Sequence, residues 1–328
     1  MTGADAALVD LPAPGWLSAE QASLQAARAL DHLPHALLIH EAPGTGGEWL
    51  ALWAARLVLC EHPQQAPCGT CRACRRVSAR GHPDLTFLGL EEESRQIRIE
   101  QVRELSAELA LTSHGGGYKV AIVSPADALN RFAANALLKT LEEPPARTLL
   151  ILVVTQPSRL PATVLSRCQR LRVRAPRRAQ SLAWLQAARG PGAWAPALDA
   201  LGEAPLLVAA CDPAEVAAIA AEVHQGLEAV AGGGGDVVGM AERWAKAEVA
   251  LRLRCIENWL TDRIRRAEGE GLFMTEVRAA PYLSAGRPVL NIRELFGLAE
   301  EARELRATLD VPLNRGLALE ALLRRLVP

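Results

Sequence analysis

Between residues 36 and 173 short apolar runs alternate with stretches of helical periodicity, and no other feature restricts the fold as tightly. ALLI (36–39), DLTFLGL (84–90), YKVAIVSP (118–125), TLLILVV (148–154) and LRV (171–173) read as strands. Residues 48–59 read as a helix with Leu50, Trp53, Ala54, Leu57 and Val58 on one face, 100–112 as a second with Val102, Leu105 and Leu109 aligned, and 128–145 as a third stopped by Pro144 and Pro145. A short helix is predicted over 160–167. Strands that alternate with helices in this way predict a parallel sheet covered on both faces.

After Pro176 the pattern changes to alanine- and leucine-rich helices without a convincing strand, so the fold class is α/β followed by all-α. A chain of 328 residues exceeds what one core of about 250 residues holds. A small helical piece is broken by GPG at 190–192; a larger bundle follows from 212, its helices joined by AGGGGD (231–236) and by turn-rich segments near Pro281 and Pro288. Aromatic residues are only 4 %, which favours close helix packing, and the formal charge of −1 argues against a general polyanion binder. The first residues lack a basic start and an apolar stretch, and nowhere are there the roughly 18 apolar residues of a membrane span, so a cytoplasmic protein is expected.

The segment APGTGGEWLA (42–51) follows the first strand in the position of a phosphate-gripping loop. Such a loop uses glycines to wrap phosphates in backbone N–H groups, a lysine to neutralise them, and a Ser or Thr to hold magnesium. Gly44 and Gly46 are present, but Gly47 stands at the lysine position, Glu48 at the Ser/Thr position and Glu41 at the first glycine. Losing the lysine alone weakens nucleotide binding about tenfold or more, and Glu48 is expected to bring a carboxylate to the helix terminus that phosphate would use. Taken alone, PGTGG also fits a plain strand-to-helix turn. The strand KVAIVSPAD ends in Ser124 and Pro125 where an ATPase carries Asp-Glu, and Pro125 cannot orient water. Asp127 is shifted too far to substitute for that pair.

Cys60, Cys68, Cys71 and Cys74 form C-x7-C-x2-C-x2-C, a spacing suited to four thiolates around a structural Zn2+, with His62 and His82 as spare neighbours. Cys211 and Cys255 read as buried small residues in helices. Arg167 follows Ser166 at the end of the short helix, where it could simply balance the helix dipole. Six arginines lie between 167 and 178, and Arg170, Arg172 and Arg174 alternate as on one face of an edge strand. That alternation fits either a charged guard or a contact with phosphate or an acidic neighbour.

The order HALLI, PGTGG, the cysteine insert, NALLKTLEEPP (135–145) and LPATVLSRC (160–168) resembles the bacterial clamp-loader subunits of DNA polymerase III, of the AAA+ family, strongly over residues 15–176 and only in architecture beyond. Departures at Gly47, Glu48, Ser124 and Pro125 resemble the delta-prime branch rather than the γ/τ motor branch. The resemblance implies an AAA+ module at 1–175 with the zinc insert at 60–74, a small helical lid at 176–211 and a helical collar at 212–328 that holds a hetero-oligomer. It further implies a non-hydrolysing stator with no ATP of its own, in which Arg167 reaches a neighbour's ATP as an arginine finger. Implied partners are γ/τ and δ subunits, with the sliding clamp and primer-template DNA met through the complex and no membrane. Two other readings stand beside it: an unorthodox P-loop ATPase using Glu48 for magnesium, and a zinc-containing DNA-binding adaptor using the arginine-rich segment.

Overall fold

The computed structural model describes residues 11–91, 94–269, 292–309 and 314–327. Five parallel strands, β1 (Ala36–His40), β2 (Leu85–Leu88), β3 (Lys119–Val123), β4 (Thr148–Val154) and β5 (Gln169–Arg172), form one sheet in the order β2-β3-β4-β1-β5. Side chains alternate across a strand, and both sets are buried here. Ala36, Leu38, Ala121, Val123, Leu150 and Leu152 join a core with α4 (Ile99–Ala110) and α5 (Arg131–Glu142). The intervening Leu37, Ile39, Val120, Ile122, Leu149 and Ile151 are equally buried, and α2 (Gly47–Leu59) lies against β1 and β4 on that second face. The expected α/β sheet with helices on both faces is therefore present.

The remaining elements are α1 (Ser18–Ala29), α3 (Arg72–Ser78), α6 (Ala162–Leu165), α7 (Arg178–Arg189), α8 (Trp194–Leu201), α9 (Pro205–Ala209), α10 (Pro213–Ala231), α11 (Val237–Trp244), α12 (Val249–Gly269), α13 (Ile292–Ala307) and α14 (Arg315–Arg324). Helix α5 begins at Arg131 rather than at 128. Asn130 accepts a hydrogen bond from Ala133 N at 2.8 Å and caps it, while Ala126–Ala128 forms a 3-10 turn. Strand β5 pairs from Gln169, two residues before the expected start. It is the sheet's edge, and Arg170, Arg172 and Arg174 are exposed there.

The chain divides into two compact units, one of Met1–Gly190 with Ala204–Ala210, the other of Pro191–Glu203 with Cys211–Pro328. Helices α7 and α9 thus join the sheet unit, and α8 joins the helical bundle. Within the bundle, α12 packs on α10 and α13, and α11 on α14. Gly226 of α10 permits that helix's close approach to α11: a Cβ there would lie 2.6 Å from Met240 Sδ and 3.0 Å from Trp244 Cζ2. Two similar clasps tie the helices. The Trp244 indole donates to Glu222, which also pairs with Arg252, and the Trp259 indole donates to Glu228, which pairs with Arg263. The Gly-rich turn carries left-handed Gly233 and Gly235, whereas the segments near Pro281 and Pro288 lie outside the described residues. Cys255 is buried as expected, but Cys211 is exposed because it sits in the turn before α10, not within a helix.

Candidate functional site

The loop after β1 leads straight into α2, and its glycines give it the curved backbone of an anion nest. Gly44 and Gly46 are left-handed, with φ of 74° and 111°, a conformation that costs other residues strain. Gly46 is the N-cap of α2. Its N–H and that of Gly47 converge on one oxygen of Glu41, at 2.9 and 2.6 Å, and Thr45 Oγ1 donates to the same oxygen at 3.4 Å. The carboxylate that meets these amides is thus Glu41, and the expectation that Glu48 would occupy the helix terminus is corrected. Glu48 instead pairs with Arg80 and accepts a 3.3 Å bond from Ser124 Oγ. The reason is directional: a side chain in a first helical turn projects sideways from the axis, whereas Glu41 approaches from the end of the strand.

The end of β3 carries Ser124 and Pro125, as read, and Ser124 is drawn to Glu48. Asp127 is buried, and its Oδ2 accepts from Thr155 Oγ1 at 2.8 Å and Gln156 N at 3.1 Å. It ties the segment after β3 to the end of β4. Arg80, held over the Phe87 ring at 4.2 Å, was not legible as a partner of Glu48, because it lies 32 residues away.

Arg167 lies beyond α6 with 37 % of its side chain exposed. Its guanidinium pairs with Glu142 at 2.7 Å and donates to Thr163 O at 3.0 Å. Glu142, from the LEEPP motif at the end of α5, was missed in the sequence, because its pairing with Arg167 depends on α5 and α6 meeting in space. Cys168 is buried in the core beside α5 and α6, and this anchors the segment that carries Arg167.

Away from the nest, the insert folds around the four cysteines, and the Sγ atoms of Cys60, Cys68, Cys71 and Cys74 all lie within 4.8 Å of one another, an arrangement that could hold a metal ion. Cys71 caps α3, accepting from Cys74 N at 3.3 Å, and Cys68 accepts from Cys71 N at 3.4 Å. The Cys71 and Thr70 N–H groups push the Cys68 thiol down to about 6, while burial pushes the Cys74 thiol up. His62 and His82 stand outside the cluster: His62 N donates to Cys60 Sγ, and His82 Nδ1 accepts from Asp84 N.

The family model described as "DNA polymerase III, delta subunit" matches residues 18–177, the sheet and its insert. A DNA polymerase III subunit delta' from Pseudomonas aeruginosa is 36 % identical over 301 residues, covering 88 % of this chain and 90 % of that protein. The chain belongs to the delta-prime family of DNA polymerase III. A second delta-prime subunit, from Yersinia pestis, is 32 % identical over 93 % of this chain and 92 % of its own length. Family likeness therefore extends through the helical bundle, well beyond the motifs. The fold is also that of a crystal structure of a DNA polymerase III gamma subunit-related protein from Thermotoga maritima, with a TM-score of 0.50, 16 % identity, and coverage of 92 % of this chain and 98 % of that one. Among the described residues no helix is long and apolar enough to cross a membrane.

Proposed function

We propose that this delta-prime-family chain is a non-hydrolysing stator of the clamp loader, which assembles with γ/τ and δ subunits in the cytoplasm, helps place the sliding clamp on primed DNA, and lends Arg167 to a neighbour's ATP. The observation that carries this reading is the self-saturation of its own cleft. Where an ATPase needs a lysine and a magnesium-holding hydroxyl it has Gly47 and Glu48, and Glu48 is engaged by Arg80 and Ser124. Pro125 supplies no group to orient water. The lone chain then has no ATPase activity and acts only within the polymerase complex.

Arg167 suits transfer in trans. Its partner Glu142 is itself 51 % exposed, and exposed pairs contribute about 0–1 kcal/mol. An arginine finger supplies about 10³–10⁵ in rate, or about 4–7 kcal/mol. Releasing Glu142 therefore costs little against what the guanidinium contributes in the transition state. In this reading Glu142 parks the guanidinium until the neighbour docks.

The cysteine cluster is assigned to structural Zn2+. Zn–S bonds of about 2.3 Å imply tetrahedral S···S edges of about 3.8 Å, and Cys60–Cys71 and Cys68–Cys74 lie at 3.9 and 4.0 Å. Four thiolates leave no open position for catalysis. The three-part division into AAA+ module (1–175), lid (176–211) and collar (212–328) belongs to the same proposal; the second compact unit contains all of 212–328 together with Pro191–Glu203, so α8 of the proposed lid groups with the collar helices.

Calorimetric titration of the isolated chain with Mg-ATP tests the closed cleft. No heat of binding is expected at millimolar nucleotide, and micromolar binding contradicts the reading.

A further inference from the structure

The two departures that flank the loop, glycine to Glu41 and lysine to Gly47, are in contact. A Cβ built on Gly47 would lie 2.6 Å from Glu41 Cδ and 2.8 Å from Glu41 Oε1. No side chain fits at 47 while the Glu41 carboxylate stays on the Gly46 and Gly47 amides. On the other side of the loop α9 closes the approach. A Cβ at Gly44 would lie 2.6 Å from Leu207 Cγ and 2.9 Å from Ala204 Cβ, and Leu206 N donates to Gly44 O at 3.1 Å.

We infer that Glu41 is the permanent anion of its own loop, an intramolecular carboxylate in the place of a nucleotide phosphate, and that it and Gly47 form a mutually dependent pair. An anion nest at a helix N-terminus is electropositive and presents N–H groups that need acceptors. In a nucleotide-binding relative of the fold, phosphate supplies them. Here the side chain of Glu41, the first residue after β1, does, so the loop keeps its shape with no ligand bound. Glu41 excludes the lysine by volume, and the missing lysine removes the cation that would otherwise draw Glu41 out of the nest. The inference rests on the proposed stator role, because it explains how the cleft stays closed.

The test is a two-by-two set in the full chain: native, Glu41→Gly, Gly47→Ala and the double variant, with unfolding followed through the indoles of Trp49 and Trp53 on α2. Replacing a helical glycine by alanine ordinarily stabilises. With Glu41 in place, Gly47→Ala is expected to lower the midpoint by about 2 °C or more; with glycine at 41 it is expected to raise it or leave it unchanged. Equal shifts in the two backgrounds overturn the pairing. Should Glu41→Gly not fold, amide exchange in the native chain decides. Protected Gly46 and Gly47 amides that ignore added inorganic phosphate support the inference, and amides that exchange freely or respond to phosphate overturn it. Micromolar Mg-ATP binding alongside the inverted shift would sink the stator reading and spare the pair; equal shifts in a chain that binds no nucleotide would do the reverse.

Discussion

Glu41 has its carboxyl pKa raised, chiefly because burial disfavours the charged form; the Gly47 and Gly46 amides oppose the shift, and Glu48, itself paired with Arg80, adds to it. A carboxyl that binds its proton more tightly in the folded state gives stability below its unfolded pKa of about 4.3 and loses it as pH rises through the higher folded value. Glu41→Gln keeps a carbonyl to accept both amides. It removes the titrating group and is expected to flatten the decline above about pH 4, as read from thermal unfolding across pH; an unchanged pH profile contradicts the assignment. The losses at Gly47, Glu48, Ser124 and Pro125 were legible in the sequence because each falls at a motif position of known chemistry. The acceptor role of Glu41 was not, since it depends on the left-handed turn at Gly46 that aims two amides backwards. Nor was the Glu142–Arg167 pair, which needs α5 and α6 to meet in space.

Elements were legible to the extent that burial dictates them. Residues 148–154 were read correctly to the residue, because all seven are buried in a strand with neighbours on both sides. The start of α5 was placed too early, since Asn130 spends its side chain on the cap and ends the preceding turn. Asn130→Ala is expected to cost about 1 kcal/mol, measured by denaturant unfolding. In the bundle Gly226→Val is expected to destabilise by about 1–3 kcal/mol through overpacking against Met240 and Trp244, and a neutral result would mean that α10 can shift away from α11. In the insert the four cysteines cluster with Ala66 and Ala73, while Val77 of α3 is buried and α3 packs on α2. Metal analysis is expected to find one zinc per chain, and chelation or Cys74→Ser to abolish amide protection over residues 60–78 while the sheet stays protected.

At the scale of the whole molecule, the chain combines a sheet unit that resembles a nucleotide-binding machine with a helical unit of its own. On the proposed reading, the changes that silence the nucleotide cleft all follow the carboxyl ends of β1 and β3, and the five-stranded sheet itself is intact. What the assembly gains from this chain, on the proposed reading, is a guanidinium held ready by Glu142 on a surface that does no chemistry alone. The most direct measurement is DNA-stimulated ATP hydrolysis by the complex reconstituted with γ/τ and δ subunits, comparing native chain with Arg167→Ala. Hydrolysis at the neighbouring site is expected to fall about 10³-fold or more with assembly unchanged. A variant complex that assembles and hydrolyses ATP at the native rate would contradict the role assigned to Arg167.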